Sequence, residues 1–262
     1  MKQKIRAFLC PEYPWAENLH WYDSISSTND HIKQMARQGA PHGTVVIADQ
    51  QSNGHGRLGR SFQSPVGMGV YMSILLRPQC LPTELMHLTC AAAVAMCDAV
   101  EAACGIRPGI KWTNDLVHQG KKLGGILTEL GLTPQGTVSH AIIGIGINCN
   151  QTEDVFPPEI RNIAHSLSMV TGREEDRFLL AAAMMEALWK LDITQKEAIL
   201  TKYRRDCITI GQEISLVRGE EIRHGKAIDV DNEGALIVLF PDGHMEAVNS
   251  GEVSVRGMYG YV

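Results

Sequence analysis

The chain has no Cys-x-x-Cys pair, no Gly-x-x-x-x-Gly-Lys-Ser/Thr string and no secretory leader pattern at its start. Each absence closes off a class. Seven cysteines, an odd number without paired spacing, read as reduced thiols of a cytoplasmic protein. Cys90, Cys97 and Cys104 recur by sevens on an expected helix and so share a face. No histidine joins them at ligand spacing, which favours core packing over a metal site, and no protein metal ligand is assigned. Without the phosphate-binding string, P-loop chemistry is out. No apolar run reads as long enough to span a membrane. Positive charge is in short supply: 24 Lys and Arg against 29 Asp and Glu leave −5. That balance is poor for a general nucleic-acid binder.

Against this acidic background one stretch stands out, Gly54-His55-Gly56-Arg57-Leu58-Gly59-Arg60-Ser61-Phe62. Thr44–Ala48 before it and Met68–Leu76 after it read as strands, so a glycine-rich basic loop joins them. Glycines let backbone N–H groups approach an anion, and arginine offers a fork that fits carboxylate or phosphate. A plain connecting loop needs one or two glycines, not three with interleaved arginines. The spacing also fits a dinucleotide fingerprint. That fingerprint requires a helix to follow, whereas Ser64-Pro65-Val66-Gly67 and a strand follow here.

In chain order, residues 1–20 read as irregular or as an edge segment. Ser27-Thr28-Asn29 precedes a helical pattern that runs to Gly39; it is either a helix cap or a set of polar groups for a ligand head. Residues 83–104 read as a buried helix. Lys111-Trp112-Thr113-Asn114-Asp115 puts a lysine at a strand end beside amide and carboxylate groups. Lys122–Leu130 is expected to be a strand whose Gly124-Gly125 pair lets something approach closely. Ala141–Asn148 is a further strand, and its alternating glycines strip one face of side chains. That face suits either tight helix packing or a flat floor for a planar ligand. One long helix is expected over 175–205, and from Gly211 on short alternating strands read as a small separate β-barrel.

Four motifs now stand in one order: Ser27-Thr28-Asn29; Gln51-x-x-Gly54-x-Gly56-Arg57-x-Gly59-Arg60; Lys111-Trp112-x-Asn114-Asp115 leading to Lys122-Leu123-x-Gly125-Ile126-Leu127; and Gly144-Ile145-Gly146-Ile147-Asn148. Together they resemble the biotin–protein ligases. The resemblance implies an α+β fold: a class II synthetase-like catalytic domain with a mixed or antiparallel central sheet and flanking helices over 1–208, and an SH3-like β-barrel over 209–262. It implies ATP as co-substrate with Mg²⁺, biotin as substrate, and transfer through biotinyl-AMP to a lysine of a biotin carboxyl carrier protein. Residue by residue it assigns biotin contacts to Ser27, Thr28, Asn29, Gln51, His55, Gly56, Arg57 and Lys111. ATP contacts fall to Arg57, Arg60, Lys111, Lys122 and Asn148. Lys111, Arg57 and Asp115 carry the chemistry, Asp115 as a candidate to orient or deprotonate the incoming amine. The short stretch before Ser27 implies the single-function form, with no DNA or membrane partner and a homodimer left open. His55, Phe62 and Thr113 stand where the family usually has arginine, tryptophan and proline. The rival readings are a lipoate–protein ligase, whose usual Arg-x-x-Gly-Gly-Gly string is missing, and a non-catalytic sensor, against which Lys111 and the paired arginines argue.

Overall fold

The structure is a computed structural model that describes residues 1–249 and the backbone of 254–257. The expected irregular start instead opens with a short helix, α1 (Lys2–Arg6), whose Ile5 is fully buried. Strand β1 (Leu19–Tyr22) leads to helix α2 (Thr28–Arg37), which begins where Ser27, in extended conformation, accepts the Asp30 N–H at 3.4 Å. This is an ordinary N-cap. Gly39, at φ 88°, turns the chain into β2 (Thr44–Ala48), and after the basic loop comes β3 (Gly69–Leu76). Every residue of both strands is buried. Helix α3 (Leu88–Cys104) follows, then three strands, β4 (Gly109–Lys111), β5 (Asp115–His118) and β6 (Lys121–Leu132), and then β7 (Val138–Asn148). The helices α4 (Leu167–Thr171), α5 (Arg177–Trp189) and α6 (Lys196–Asp206) complete this part.

The strands make one seven-stranded sheet in the order β1-β2-β3-β7-β6-β5-β4. Only β1 and β2 run parallel; the other neighbours are antiparallel. Strand β7 shows how the faces differ. Ile143, Ile145 and Ile147 point into the main core, shared with α3, α5 and α6. Ile142 belongs to a smaller cluster beneath α2, with Ile32, Ala36, Val46 and Leu75. The period of two then puts Gly144 and Gly146 on the α2 face. The bare strip therefore faces away from the thick helical layer, which leaves room above the sheet for a cavity.

Helix α3 lies between sheet and helices, and Cys90, Cys97 and Cys104 are all buried there. The expectation that no run could span a membrane needs amending. The helical stretch 82–104 is long and apolar enough to cross a membrane, but 72% of its most apolar part is buried inside the protein, so its apolarity serves the core. The single helix expected over 175–205 is two. Asp192 accepts from the Thr194 N–H at 3.0 Å and its hydroxyl at 2.6 Å, closing a turn between α5 and α6. Short polar side chains that bond nearby backbone break a helix in this way.

Past Gly211 come β8 (Glu213–Arg218), β9 (Glu221–Val230), β10 (Leu236–Leu239), β11 (Met245–Val248) and β12 (Ser254–Gly257). They form an antiparallel sheet in the order β11-β10-β9-β8-β12. The parts of the expected barrel at 250–253 and 258–262 lie outside the described residues.

Candidate active site

The groups singled out in the sequence line one cavity of about 600 Å³ on the α2 face of the sheet. Gly144 and Gly146 are its floor. A Cβ at Gly144 would lie 2.0 Å from Asn29 Oδ1, and one at Gly146 would lie 2.5 Å from the Phe62 ring. Asn29 belongs to α2, so Gly144 lets the helix pack closely onto the sheet, and Gly146 lets the Phe62 ring do the same. Both glycines also border the cavity, so neither of the two expected uses of the bare strip excludes the other.

At one end, the first turn of α2 supplies a buried polar set. Gln51 Oε1 accepts from the Thr28 N–H at 2.8 Å and from its hydroxyl at 3.1 Å. Gln51 Nε2 donates to Ser64 Oγ at 2.9 Å. Ser73 Oγ, from β3, lies 2.5 Å from Asn29 Oδ1 and 2.8 Å from Thr28 Oγ1. Asn29 Nδ2 donates to Glu129 Oε2 at 2.8 Å, and Lys33 pairs with the other oxygen of Glu129 at 2.7 Å. Ser27, Thr28 and Asn29 are each at least 95% buried. Ser27 is both cap and cavity wall, so the two readings of its motif are not exclusive. Buried polar groups locked in a network hold fixed directions, as recognition of a small polar ring requires.

The basic loop arches over this set as a narrow hairpin. Its base is closed by Phe62 N–H to Gly54 O at 2.8 Å and Gly56 N–H to Arg60 O at 2.7 Å. The Asn53 N–H donates to Ser26 O at 2.9 Å, which ties the loop to the start of α2. The three glycines differ in cause. A Cβ at Gly54 would meet Phe62 O at 2.7 Å, and Gly59 sits at φ 69°. Gly56 has neither constraint: its φ is −117° and a Cβ would find only Arg60 O, at 3.8 Å. Packing does not demand glycine there, yet Gly56 lines the cavity.

The other end is cationic. Lys111, 7% exposed, closes strand β4 and faces Asp115 in register on β5. Lys122 Nζ donates to Asp115 Oδ1 at 2.8 Å. Arg57 reaches across the mouth, and its Nη1 donates to Asn114 Oδ1 at 3.0 Å. Burial lowers the Arg57 guanidinium below its ordinary value, opposed by Asp115 and reinforced by Arg60. It remains charged at any working pH, since arginine starts near 12.5 or higher. Arg57, Arg60, Lys111 and Lys122 thus face one space in which Asp115 is the only carboxylate on the wall among the described residues. His55 joins the rim, its Nε2 3.9 Å from Asp30 Oδ1.

Of the sequence-derived set, only Asn148 is not on the cavity wall. It is buried beside it. Its Nδ2 donates to His165 O at 3.0 Å and its Oδ1 accepts from Gln151 Nε2 at 3.2 Å, so its amide braces the 151–166 connection. Sequence reasoning missed Ser73, Ser64 and Glu129. Ser73 had a signal: it is the one hydroxyl inside the otherwise apolar run Met72–Leu76.

Residues 21–148 match the Biotin/lipoate A/B protein ligase family, and residues 209–256 match the biotin protein ligase C terminal domain. The bifunctional ligase/repressor BirA of Bacillus spizizenii is 37% identical over 243 residues, covering 87% of this chain and 71% of that protein. The chain belongs to the biotin/lipoate A/B protein ligase family. The biotin–[acetyl-CoA-carboxylase] ligase of Paracoccus denitrificans resembles this ligase at 30% identity, across 88% of the chain and 98% of the relative. Among solved structures, the biotin protein ligase of Aquifex aeolicus in complex with biotin and ATP superposes with a TM-score of 0.77 at 30% identity. That match spans 92% of this ligase and 99% of the other chain.

Proposed function

We propose that the ligase joins biotin to ATP as biotinyl-AMP and then transfers biotin to a lysine of a biotin carboxyl carrier domain. The observation that carries this reading is the union, in one cavity, of a fixed polar network and four cations. Biotin's ureido ring is a compact donor–acceptor set, and Ser27, Thr28, Asn29 and Gln51 match it. Gln51 keeps one Nε2 hydrogen for it beyond the bond to Ser64. The thioether ring and valeryl chain pack against the apolar wall that Phe62, Ile126 and Leu127 supply. The carboxylate then points to Lys111.

Step one forms a bond from that carboxylate oxygen to the α-phosphorus and breaks the bond to pyrophosphate. Two unit charges ~4 Å apart at an effective dielectric of ~20 repel by roughly 4 kcal/mol. Lys111, Arg57, Arg60 and Lys122 offset this and stabilise the charge that grows on the phosphorus oxygens. The backbone N–H of His55 adds a neutral donor, while that of Gly56 is spent on Arg60 O. Mg²⁺ supplies further charge neutralisation on the phosphates. Among the described residues no three His, Cys, Asp or Glu side chains cluster. Asp115, on the cavity wall, would be the side chain to hold Mg²⁺, with phosphate and water oxygens as the remaining ligands.

In step two the acceptor amine attacks the acyl carbon and AMP leaves. Asp115, already paired with Lys122, is suited to orienting that amine more than to taking its proton. The hairpin loop covers the anhydride and keeps water from it. Asn148 contributes to ATP binding only by bracing the connection it bonds. The catalytic unit spans 1–208, residues 209–262 form the second unit, and the unpaired cysteines suit the cytoplasm.

The test is mass spectrometry of a carrier-domain lysine after incubation with the ligase, ATP and biotin. A mass increase equal to one biotinyl group is expected, with none when lipoate replaces biotin. Labelling by lipoate alone would favour the other branch of the family.

A further inference from the structure

Lys111 ends a three-residue strand at the edge of the sheet. Strand β4 has one sheet neighbour, β5. Its outer side is held from elsewhere. Cys207 bridges to Ile110, and the Ile208 N–H donates to Ile110 O at 2.9 Å. The Trp112 N–H donates to Thr209 Oγ1 at 2.9 Å, and the Trp112 indole N–H to Gly234 O at 3.0 Å. Tyr203 donates its hydroxyl proton to Thr113 O at 3.0 Å. All of these partners lie in α6, in the connection after it, or in the β9–β10 turn.

That turn is itself rigid. Asp231 Oδ1 accepts from the Glu233 N–H at 2.8 Å and the Ala235 N–H at 2.9 Å. Gly234 sits at φ 87°, and a Cβ on it would lie 2.9 Å from Cys90 Sγ on α3. The turn is thus wedged against the core helix while its carbonyl holds the indole of Trp112. Trp112 and Thr209 are each at least 96% buried, so these bonds do not compete with bulk water.

We propose that the C-terminal unit is a positioning element for Lys111: Thr209 and the Gly234 carbonyl fix Trp112, and through it set the lysine for adenylation. This rests on the ligase reading above. The biotin-head network hangs on α2, β3, β6 and the basic loop, and none of the bonds described above for it involves Thr209 or Gly234. The two functions are therefore separable. Loosening Trp112 should slow the first chemical step far more than it weakens biotin, which would lose only its carboxylate contact to Lys111 and keep the ureido-ring network.

The pair Thr209→Val and Thr209→Ser tests this in the full chain. Valine keeps the shape and removes the acceptor; serine restores it. Three quantities are read: biotin-dependent ATP–pyrophosphate exchange, biotin dissociation constant by calorimetry, and melting temperature. Because displacements of about 1 Å cost up to ~100-fold in rate, Thr209→Val should lose roughly ten- to a hundredfold in exchange kcat. Its biotin affinity should fall far less, by no more than the Lys111–carboxylate contact contributes, a split that marks loss of transition-state stabilisation. Thr209→Ser should regain most of the rate. Exchange at the parent rate in Thr209→Val would overturn the proposal. So would equal losses of rate and biotin affinity, or failure of serine to rescue, since each marks a merely structural role. If the valine variant does not fold, Trp112→Phe, which loses the bond to Gly234 and part of the ring's packing but keeps the Thr209 bond, must show the same split or the proposal falls. Absence of exchange in the parent chain would instead strike the ligase reading itself.

Discussion

Gly144→Ala is the sharpest single test of how the cavity is built. The new Cβ would stand 2.0 Å from Asn29 Oδ1 and 2.6 Å from its Cγ. The strand cannot yield, because Gly144 is paired with Ser73 on one side and Leu127 on the other. Asn29 must therefore move by about 1 Å or more to reach ordinary contact distance. It is held by Ser73 at 2.5 Å and by the Glu129 carboxylate at 2.8 Å, and both bonds break. A bond to a charged group contributes ~1.5–3 kcal/mol and a neutral one ~0.5–1.5 kcal/mol, so the loss is about 2–4 kcal/mol. Urea unfolding reads that loss, and calorimetry reads the accompanying fall in biotin affinity. Gly56→Ala is the control, since its Cβ has open space. It should keep stability within ~0.5 kcal/mol, as ordinary surface changes do, while weakening ligand binding. A Gly144→Ala variant with parental urea midpoint and parental biotin affinity would refute the reasoning.

Lys111→Ala should cut pyrophosphate release by roughly 10²–10³-fold, the usual cost of removing a group that stabilises developing charge, with the circular dichroism spectrum unchanged. Near-normal release would remove Lys111 from the mechanism. Arg57→Gly breaks the Arg57–Asn114 link across the cavity mouth, so biotinyl-AMP should escape faster. Rapid-quench measurement of an unchanged intermediate lifetime would contradict this. Asp206 lies below the usual aspartate range: burial alone would raise it, but hydrogen bonds from Arg205 and Arg107 prevail. A carboxyl depressed in the fold adds stability above its unfolded value, near 3.9, and loses it as pH falls through the folded value. Asp206→Asn should thus cost most at neutral pH and little in strong acid. A difference from the parent that stays constant from about pH 7 to about pH 3 would count against the assignment.

Most of the site was legible because its chemistry sits on local patterns. The loop between two apolar strands, the lysine at a strand end and the alternating glycines of β7 each follow from a period or a turn rule. The misreadings have physical causes of a different range. The break between α5 and α6 depends on Asp192 and Thr194, whose side chains compete with a helix that composition alone would continue. The placement of α1 depends on Ile5 finding the core, a tertiary fact. Glu129 orients Asn29 across 100 residues of chain, and no spacing rule connects them. Asn148 sat in a motif that reached the cavity with its glycines, yet its own side chain turned to His165. A strand's alternation gives the face of a residue; what meets that face is decided by loops elsewhere.

The stacked thiols of α3 have a practical consequence. Burial pushes Cys90, Cys97 and Cys104 up to about 12, so at neutral pH they are neither ionised nor within reach of an alkylating reagent. Cys10 and Cys80 are partly accessible and would react first. The ligase therefore carries its own clock for opening events: each alkyl group added to the central helix records a molecule that has come apart, countable by mass without any engineered label.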